Sequence, residues 1–434
     1  MKYYCLGIKG TGMSTLASFL YDLGNEVSGY DDDKHYKFTM EGLEERGIKV
    51  YYDDSFLPEE GTIITYSKAL SEDHKEIVRL KNLGYEFRNY NELIGDLTRE
   101  FDTISICGTH GKTTTTSLIS KALEPINYFI GDGEASASKD NKLFVLESDE
   151  FNKHFLAYDP TTAVLLSIHM DHPECYNGSF DEYKKTFETF VNKAKFAILN
   201  GDNESIRSLD IKVPKVYFGF EENNDYVIRN TLYKEDGTSF DLYKGPDFIH
   251  HFDLNTFGKH MVYDFVAAFL VSDHYNESEE FDIKTKDFIT PKRRFKTSTF
   301  GKVHIISDYA HHPKEIEMTI GAARQKYPNK KLIAVFMENT YSRIEILMDD
   351  YVNALSKADE VYILDIRSNR QKSTDYKYNA EDLRKRIPGS KKISINDPSE
   401  LLNYEDAVIL FMSCGDIYLL EDKLKEKLKE KYGK

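Results

Sequence analysis

Cysteine is scarce in this sequence: Cys5, Cys107, Cys175 and Cys414 are the four among 434 residues. They form no C-x-x-C pair and keep no regular spacing, so neither a disulfide framework nor a zinc site is readable, and a reducing compartment fits best. Long apolar runs are missing too. No window approaches the eighteen apolar residues of a membrane span, and Met1 leads straight into the strand-like YYCLGI, without the basic segment and apolar core of a leader. A cytoplasmic location with no membrane partner is expected. Positive charge is in deficit, with 57 Lys and Arg against 73 Asp and Glu and a net charge of -16. That balance repels phosphate backbones and anionic lipid, which argues against nucleic acid as a partner. A nucleotide substrate stays open, because backbone amides and one or two cations hold such ligands locally.

The material for folding is ample: 40% of residues are hydrophobic, 13% aromatic and 30% charged, which excludes disorder as the main state. The length implies about three domains. The N-terminal segment alternates β-rich runs with helical patterns: YYCLGI, a helical STLASFLYDL ended by Gly24, then EVSGYD, IKVYY and TIITYS at 62–67. This βαβ rhythm predicts a parallel sheet covered by helices. A second series starts at Asp102 with TISIC and continues through LFVLE, TAVLLSI and FAILN, and the alternating stretch over 215–255 reads as antiparallel strands appended to it. A third series, VHIIS, KLIAVF, EVYILD and AVILFM, begins near Lys302, and the Lys/Glu-rich tail from 421 reads as a solvated amphipathic helix. The expected fold is α/β, with three tandem α/β domains over 1–97, 98–292 and 293–434. The second joint is placed in the polar, basic ITPKRRFKTSTFG over 289–301.

The strongest motif is GTHGKTT at 108–114, lying between the strand TISIC and a helical TTSLISKAL. It is shorter than the full G-x-x-x-x-G-K-[ST] pattern but has the context of a phosphate loop. Gly108 and Gly111 let backbone N–H groups converge on phosphate oxygens, Lys112 brings a point charge, and the Thr113 hydroxyl suits Mg²⁺. LFVLESDE offers Glu147, Asp149 and Glu150 at a neighbouring strand end, and HMDHPE adds Asp171 and His172 after the next strand. GIKGTGMS at 7–14 joins the first strand to the first helix, with Asp31-Asp32-Asp33 after the second strand. Its glycine order departs from the dinucleotide fingerprint, leaving open a phosphate site or a close-packed turn. DYAHHP and YSR follow later strands and offer Asp308, His311, His312 and Arg343, either as site residues or as helix caps.

Taken in order, GIKGTGMS, GTHGKTTTT, LESDE, DHP, GKH at 258–260, KRRF at 292–295, DYAHHP, YSR and CGDI at 414–417 resemble the Mur ligase family over essentially the whole chain. The resemblance implies a Rossmann-like UDP-binding domain, a central ATPase domain with a P-loop and a C-terminal Rossmann-like domain receiving an amino acid. It implies an ATP-dependent ligase of peptidoglycan precursor synthesis, with UDP-N-acetylmuramate and L-alanine or another small amino acid as partners and ATP and Mg²⁺ as cofactors. The chain would act as a monomer or weak homodimer.

By the same resemblance, Gly10, Thr11, Gly12, Met13, Ser14, Asp31 and Ser67 face the UDP-sugar. Gly108, Thr109, His110, Gly111, Lys112, Thr113, Thr114, Asp264, Arg294 and Asp308 serve ATP. Thr113, Glu147 and His172 hold magnesium, and Lys112, Glu147, His172, His311 and Arg343 are the catalytic set. Three positions depart from the family pattern. Asp264 stands where an adenine-contacting Asn is usual, Glu338-Asn339 replaces a Pro-His pair, and MSCGDI replaces M-G-A-G-D-I. L-serine, glycine or a peptide therefore stay open as acceptors, as does a non-catalytic nucleotide-binding role.

Overall fold

The computed structural model describes residues 1–67, 70–368 and 371–433. The chain divides into two compact units. One comprises Met1–Ile168, Lys184–Phe218 and Phe265–Phe288, the other His169–Tyr183, Gly219–Asp264 and Ile289–Lys434.

In the first unit, β1 (Lys2–Leu6), β2 (Glu26–Tyr30), β3 (Lys49–Tyr51) and β4 (Ile63–Tyr66) form a parallel sheet in the order β3-β2-β1-β4. The helix Thr11–Asp22 follows β1 directly, and Gly24, at φ +78°, ends its cap in the left-handed conformation that glycine tolerates. Seven further strands follow: β5 (Asp102–Cys107), β6 (Asn127–Phe129), β7 (Ala135–Ser136), β8 (Leu143–Glu147), β9 (Thr162–Leu165), β10 (Phe196–Asn200) and β11 (Lys215–Gly219). They lie in the order β11-β10-β9-β5-β8-β6-β7 and pair parallel except for β7. Buried on both faces, the strands need the near-continuous apolar runs seen in TISIC and LFVLE. Phe19 of the first helix packs 4.7 Å, ring to ring, from Phe144 of β8 and also meets Phe101 and Phe129. The two sheets thus share an aromatic core.

Both sheets have a topological switch point, where consecutive crossovers leave a central strand toward opposite edges. It lies beside β1 and β4 in the first sheet and beside β5 and β9 in the second. Crevices beyond the carboxyl ends of such strands are where open α/β sheets take ligands. The loop from Gly7 to Gly10 and the loop from Gly108 to Gly111 both start at these ends.

In the second unit, β12 (Tyr226–Lys234), β13 (Gly237–Lys244) and β14 (Asp247–Leu254) form an antiparallel meander. The antiparallel reading of 215–255 is therefore right from Tyr226 on, whereas β11 pairs parallel with β10. The main sheet runs β15-β16-β20-β17-β18-β19, built from β15 (Lys296–Phe300), β16 (Lys302–Asp308), β17 (Lys331–Phe336), β18 (Glu360–Ile363), β19 (Lys391–Lys392) and β20 (Asp406–Met412). Successive side chains serve opposite faces. Leu332, Ala334 and Phe336 enter one core with Val408, Leu410 and Met412, while Ile333 and Val335 enter the other with Ala407, Ile409 and Phe411.

Two expectations change here. KTSTF, read as part of a polar joint, forms the edge strand β15 antiparallel to β16. The tail helix, Tyr418–Tyr432, is amphipathic as expected but not merely solvated: Leu420, Leu424 and Leu428 are fully buried in the second core.

Candidate functional site

The loop after β5 is shaped by its glycines. Gly108 sits at φ +134°, and a Cβ there would lie 2.9 Å from the Ser167 nitrogen and 3.0 Å from its oxygen, so only glycine fits against that backbone. Thr109 N donates to Ser167 O and His110 N to Ser167 Oγ, each at 2.9 Å, which pins the loop to the end of β9. Gly111, at φ +86°, precedes the helix Lys112–Ala122, whose first turns carry the buried Thr113 and Thr114. The Lys112 ammonium donates to Gly108 O at 2.6 Å and to Glu150 Oε2 at 2.7 Å. Burial works against its charge, but the Glu150 carboxylate prevails and holds its pKa above the usual lysine range.

Beside it, Thr113 Oγ1 donates to Glu147 Oε1 at 3.0 Å, and Gly131 N donates to Glu147 Oε2 at 2.7 Å. A Cβ at Gly131 would stand 2.6 Å from that carboxylate. Lys112, Thr113 and Glu147 are thus brought together as the sequence suggested. Glu150 as the lysine's partner and Gly131 as the seat of Glu147 were not foreseen.

At the N-terminal switch point, Gly7 has φ +72° and packs against Ser67, while Ser67 N donates to Leu6 O at 3.0 Å. Gly10 caps the helix that carries Thr11, Gly12, Met13 and Ser14, and the Tyr90 hydroxyl lies 2.6 Å from where a Cβ on Gly12 would be. Asp31 is buried and spends both oxygens on the loop, accepting from Lys9 N and Asp33 N at 3.0 Å each. Sequence reasoning missed Lys9, whose buried ammonium donates to the carbonyls of Asp33 and His35.

The second unit holds a different kind of cluster. Arg343, in the first turn of the helix Tyr341–Leu355, is 4% exposed. Its Nε donates to Asp171 Oδ1 at 2.7 Å, and its Nη1 donates to Glu338 Oε1 at 3.1 Å and to Asn339 Oδ1 at 3.2 Å. Burial alone would raise the Asp171 carboxyl; the guanidinium overrides this and holds it well below the usual range. Tyr351 Oη lies 2.7 Å from Glu338 Oε2 and 2.8 Å from His311 O. His311 and Arg343 are therefore joined through Tyr351 and Glu338, neither of which the sequence reading included in its site.

His311 Nδ1 is 3.2 Å from Glu315, yet burial pushes this imidazole below its ordinary pKa. His312 instead caps the helix Pro313–Lys326, the structural alternative weighed for it. His172 takes a left-handed backbone at φ +50°, and its ring lies 3.5 Å from Asp171 and 3.9 Å from Glu174. Asp308 is engaged with its own scaffold, accepting from Phe295 N and Ala310 N at 2.8 Å each; burial raises its pKa. The Arg294 guanidinium lies over the Tyr309 ring at 4.8 Å and 3.9 Å from Glu315. Asp264 is buried, one turn along from His260. Burial and the Arg294 charge push the His260 imidazole down to about 4.

Comparison with known proteins agrees with this architecture. Models described as "Mur ligase family, catalytic domain", "Mur ligase middle domain" and "Mur ligase, glutamate ligase domain" match residues 2–102, 132–272 and 293–415. The chain belongs to the Mur ligase family. It is 39% identical over 428 residues to the UDP-N-acetylmuramate–L-alanine ligase of Lacticaseibacillus paracasei, covering 96% of this chain and 97% of that protein. The fold is similar to that of a Thermotoga maritima UDP-N-acetylmuramate-alanine ligase, with a TM-score of 0.80, 22% identity, and coverage of 99% and 100% of the two chains. It is also similar to that of a Psychrobacter arcticus murein peptide ligase, with a TM-score of 0.71, 20% identity, and coverage of 99% and 98%.

Proposed function

We propose that this chain joins L-alanine to the carboxylate of UDP-N-acetylmuramate at the expense of ATP, a step of peptidoglycan precursor synthesis. The relative at 39% identity carries that activity in its name. The observation that carries the reading here is the meeting of Lys112, Thr113 and Glu147 at the β5/β9 switch point. In this reading, 1–97 takes the UDP-sugar, 98–292 takes ATP and 293–434 receives the amino acid.

The muramoyl carboxylate attacks the γ-phosphorus and ADP leaves. The free amine of the amino acid then attacks the acyl carbon of the acyl phosphate, and inorganic phosphate departs. No side-chain nucleophile is required, so the residues work by placing reactants and neutralising charge. Lys112, kept protonated by Glu150, supplies a fixed positive charge to the transferring phosphoryl group. The glycine loop offers it backbone N–H groups.

The Thr113 hydroxyl and the Glu147 carboxylate are hard oxygen donors in hydrogen-bond contact, the ligand type Mg²⁺ takes, and these two residues would hold it. When bound, Mg²⁺ neutralises charge on the phosphate oxygens. His172 offers nitrogen, a poorer donor for Mg²⁺, and its place at a second cation rests on the family resemblance. Arg343 and His311 serve the amino-acid and intermediate side.

The test is phosphate release from Mg-ATP and UDP-N-acetylmuramate with L-alanine, L-serine, glycine, a muropeptide-type peptide or no acceptor, with product mass measured. L-alanine-dependent release and the mass of the alanyl product are expected. Release with another acceptor reassigns the substrate. No acceptor-dependent release from folded protein overturns the ligase reading.

A further inference from the structure

The departure at Glu338 carries an inference of its own. Where the family resemblance expects proline, this chain has a carboxylate that is 2% exposed at the end of β17. Its Oε1 accepts from Asn339 N at 2.9 Å, from Thr340 N and Thr340 Oγ1 at 3.0 Å each, and from Arg343 Nη1 at 3.1 Å. Its Oε2 meets Tyr351 Oη, which also reaches the carbonyl of His311. One side chain therefore ties the loop after β17, the first turn of the following helix and the loop after β16. Asp171 grips the guanidinium through Nε at 2.7 Å and Nη2 at 3.4 Å, while Glu338 grips it through Nη1. A planar guanidinium held at two sites by two buried carboxylates has one orientation available.

We propose that Glu338 is a positioning residue of the amino-acid subsite, clamping Arg343 against Asp171 so that the guanidinium meets the acceptor in a single pose. This rests on the reading above that Arg343 serves the amino-acid side. A proline side chain offers no acceptor oxygen, so the clamp comes with Glu338 and not with the pattern that the resemblance expects.

Steady-state phosphate release by the full chain, with L-alanine, ATP and UDP-N-acetylmuramate varied in turn, tests it. Glu338→Ala removes the clamp, and Glu338→Asp keeps the charge but withdraws it by one methylene. Both are expected to raise KM for L-alanine about tenfold while KM for ATP and for UDP-N-acetylmuramate stays within about twofold. Glu338→Gln keeps an acceptor oxygen for Arg343, and its amide can donate to Tyr351 Oη; KM for L-alanine is expected within about threefold of the parent. If Glu338→Ala does not fold in a thermal melt, Glu338→Asp carries the test. Unchanged KM for L-alanine in the Asp variant, or an equal rise in all three KM values, overturns the proposal.

Arg343→Lys separates the two layers of the argument. It is expected to raise KM for L-alanine, and adding Glu338→Asp to it is expected to raise it no further, because the clamp has nothing left to hold. No effect of Arg343→Lys on L-alanine kinetics overturns the reading of Arg343 itself. An effect of Arg343→Lys with none from the Glu338 variants overturns only the clamp.

Discussion

The glycine-loop site of the first unit and the arginine cluster of the second are assembled by opposite means. Around Lys112 the geometry comes from backbone: glycines that admit close approach, a strand end, and N–H groups pinned to Ser167. Around Arg343 it comes from side chains: Asp171 from a distant part of the chain, Glu338 and Asn339 of the loop just before the helix, and Tyr351 about two turns beyond Arg343 along it. A backbone-built site can lose its charged group and stand. A site built from buried charges cannot, because each charge is the partner that makes another's burial tolerable.

Lys112→Ala is the strongest test of the first half of that contrast. The lysine's partners, Gly108 O and Glu150, leave the loop's own hydrogen bonds to Ser167 untouched when it is removed. Acceptor-dependent phosphate release is expected to fall by about a thousandfold, the scale of losing a principal charge stabiliser. Pairing the change with Glu150→Gln, so that no buried carboxylate is left without its cation, is expected to hold the shift of the thermal midpoint to a few degrees. Turnover near that of the parent would remove Lys112 from the mechanism.

Asp171→Ala tests the other half. It strips Arg343 of its closest carboxylate and leaves a buried guanidinium with Glu338 alone, so urea unfolding is expected to show a loss of about 3 kcal/mol together with the loss of activity. A variant as stable as the parent would mean that Glu338 alone compensates the buried charge, and the contrast between the two sites would collapse.

The same contrast explains what could be read from the sequence. The strands TISIC, LFVLE and KLIAVF and the loop GTHGKTT were legible because their signals are local: apolar runs of strand length, and glycines next to Lys and Thr. β15 was not, because an edge strand facing solvent alternates polar residues and KTSTF looks like a linker. The buried leucines of the tail helix were masked by the lysines and glutamates between them. Glu150 and Glu338 were named from the sequence, but their roles, and Gly131 and Tyr351 altogether, escaped because what recommends each is a partner that only the fold brings near. Glu338 did leave a trace, as an acidic residue at the end of an apolar strand, where burial demands a cation.

Gly131→Ala sharpens the backbone side without removing a functional group. The new methyl would stand 2.6 Å from the Glu147 carboxylate, the movable end of a side chain rather than backbone, so the expected cost falls on function. Phosphate release is expected to drop about tenfold, with a higher Mg²⁺ requirement, while stability changes by under about 1 kcal/mol. Gly108→Ala is the control, since its methyl would meet the backbone of Ser167 at φ +134° and both stability and activity should fall. If the two variants behaved alike, the distinction between a seat for a side chain and a seat for backbone would be lost.

The smallest effect belongs to His260, a neutral group in the second unit on which burial and Arg294 outweigh the Glu315 carboxylate. Burial and Arg294 hold its folded pKa at about 4, below its ordinary 6.5. As pH falls the unfolded chain takes up the proton first, so the histidine's contribution is complete above about pH 6.5 and is lost progressively toward pH 4. His260 is not fully enclosed and water screens part of the penalty, so the loss is expected on the order of 1–2 kcal/mol. Urea midpoints measured from pH 7 to pH 4 should therefore decline less steeply in His260→Asn than in the parent. Parallel curves would show that His260 takes its proton equally well in both states, and the pH sensitivity of this unit would then rest on charged pairs such as Asp171–Arg343 alone.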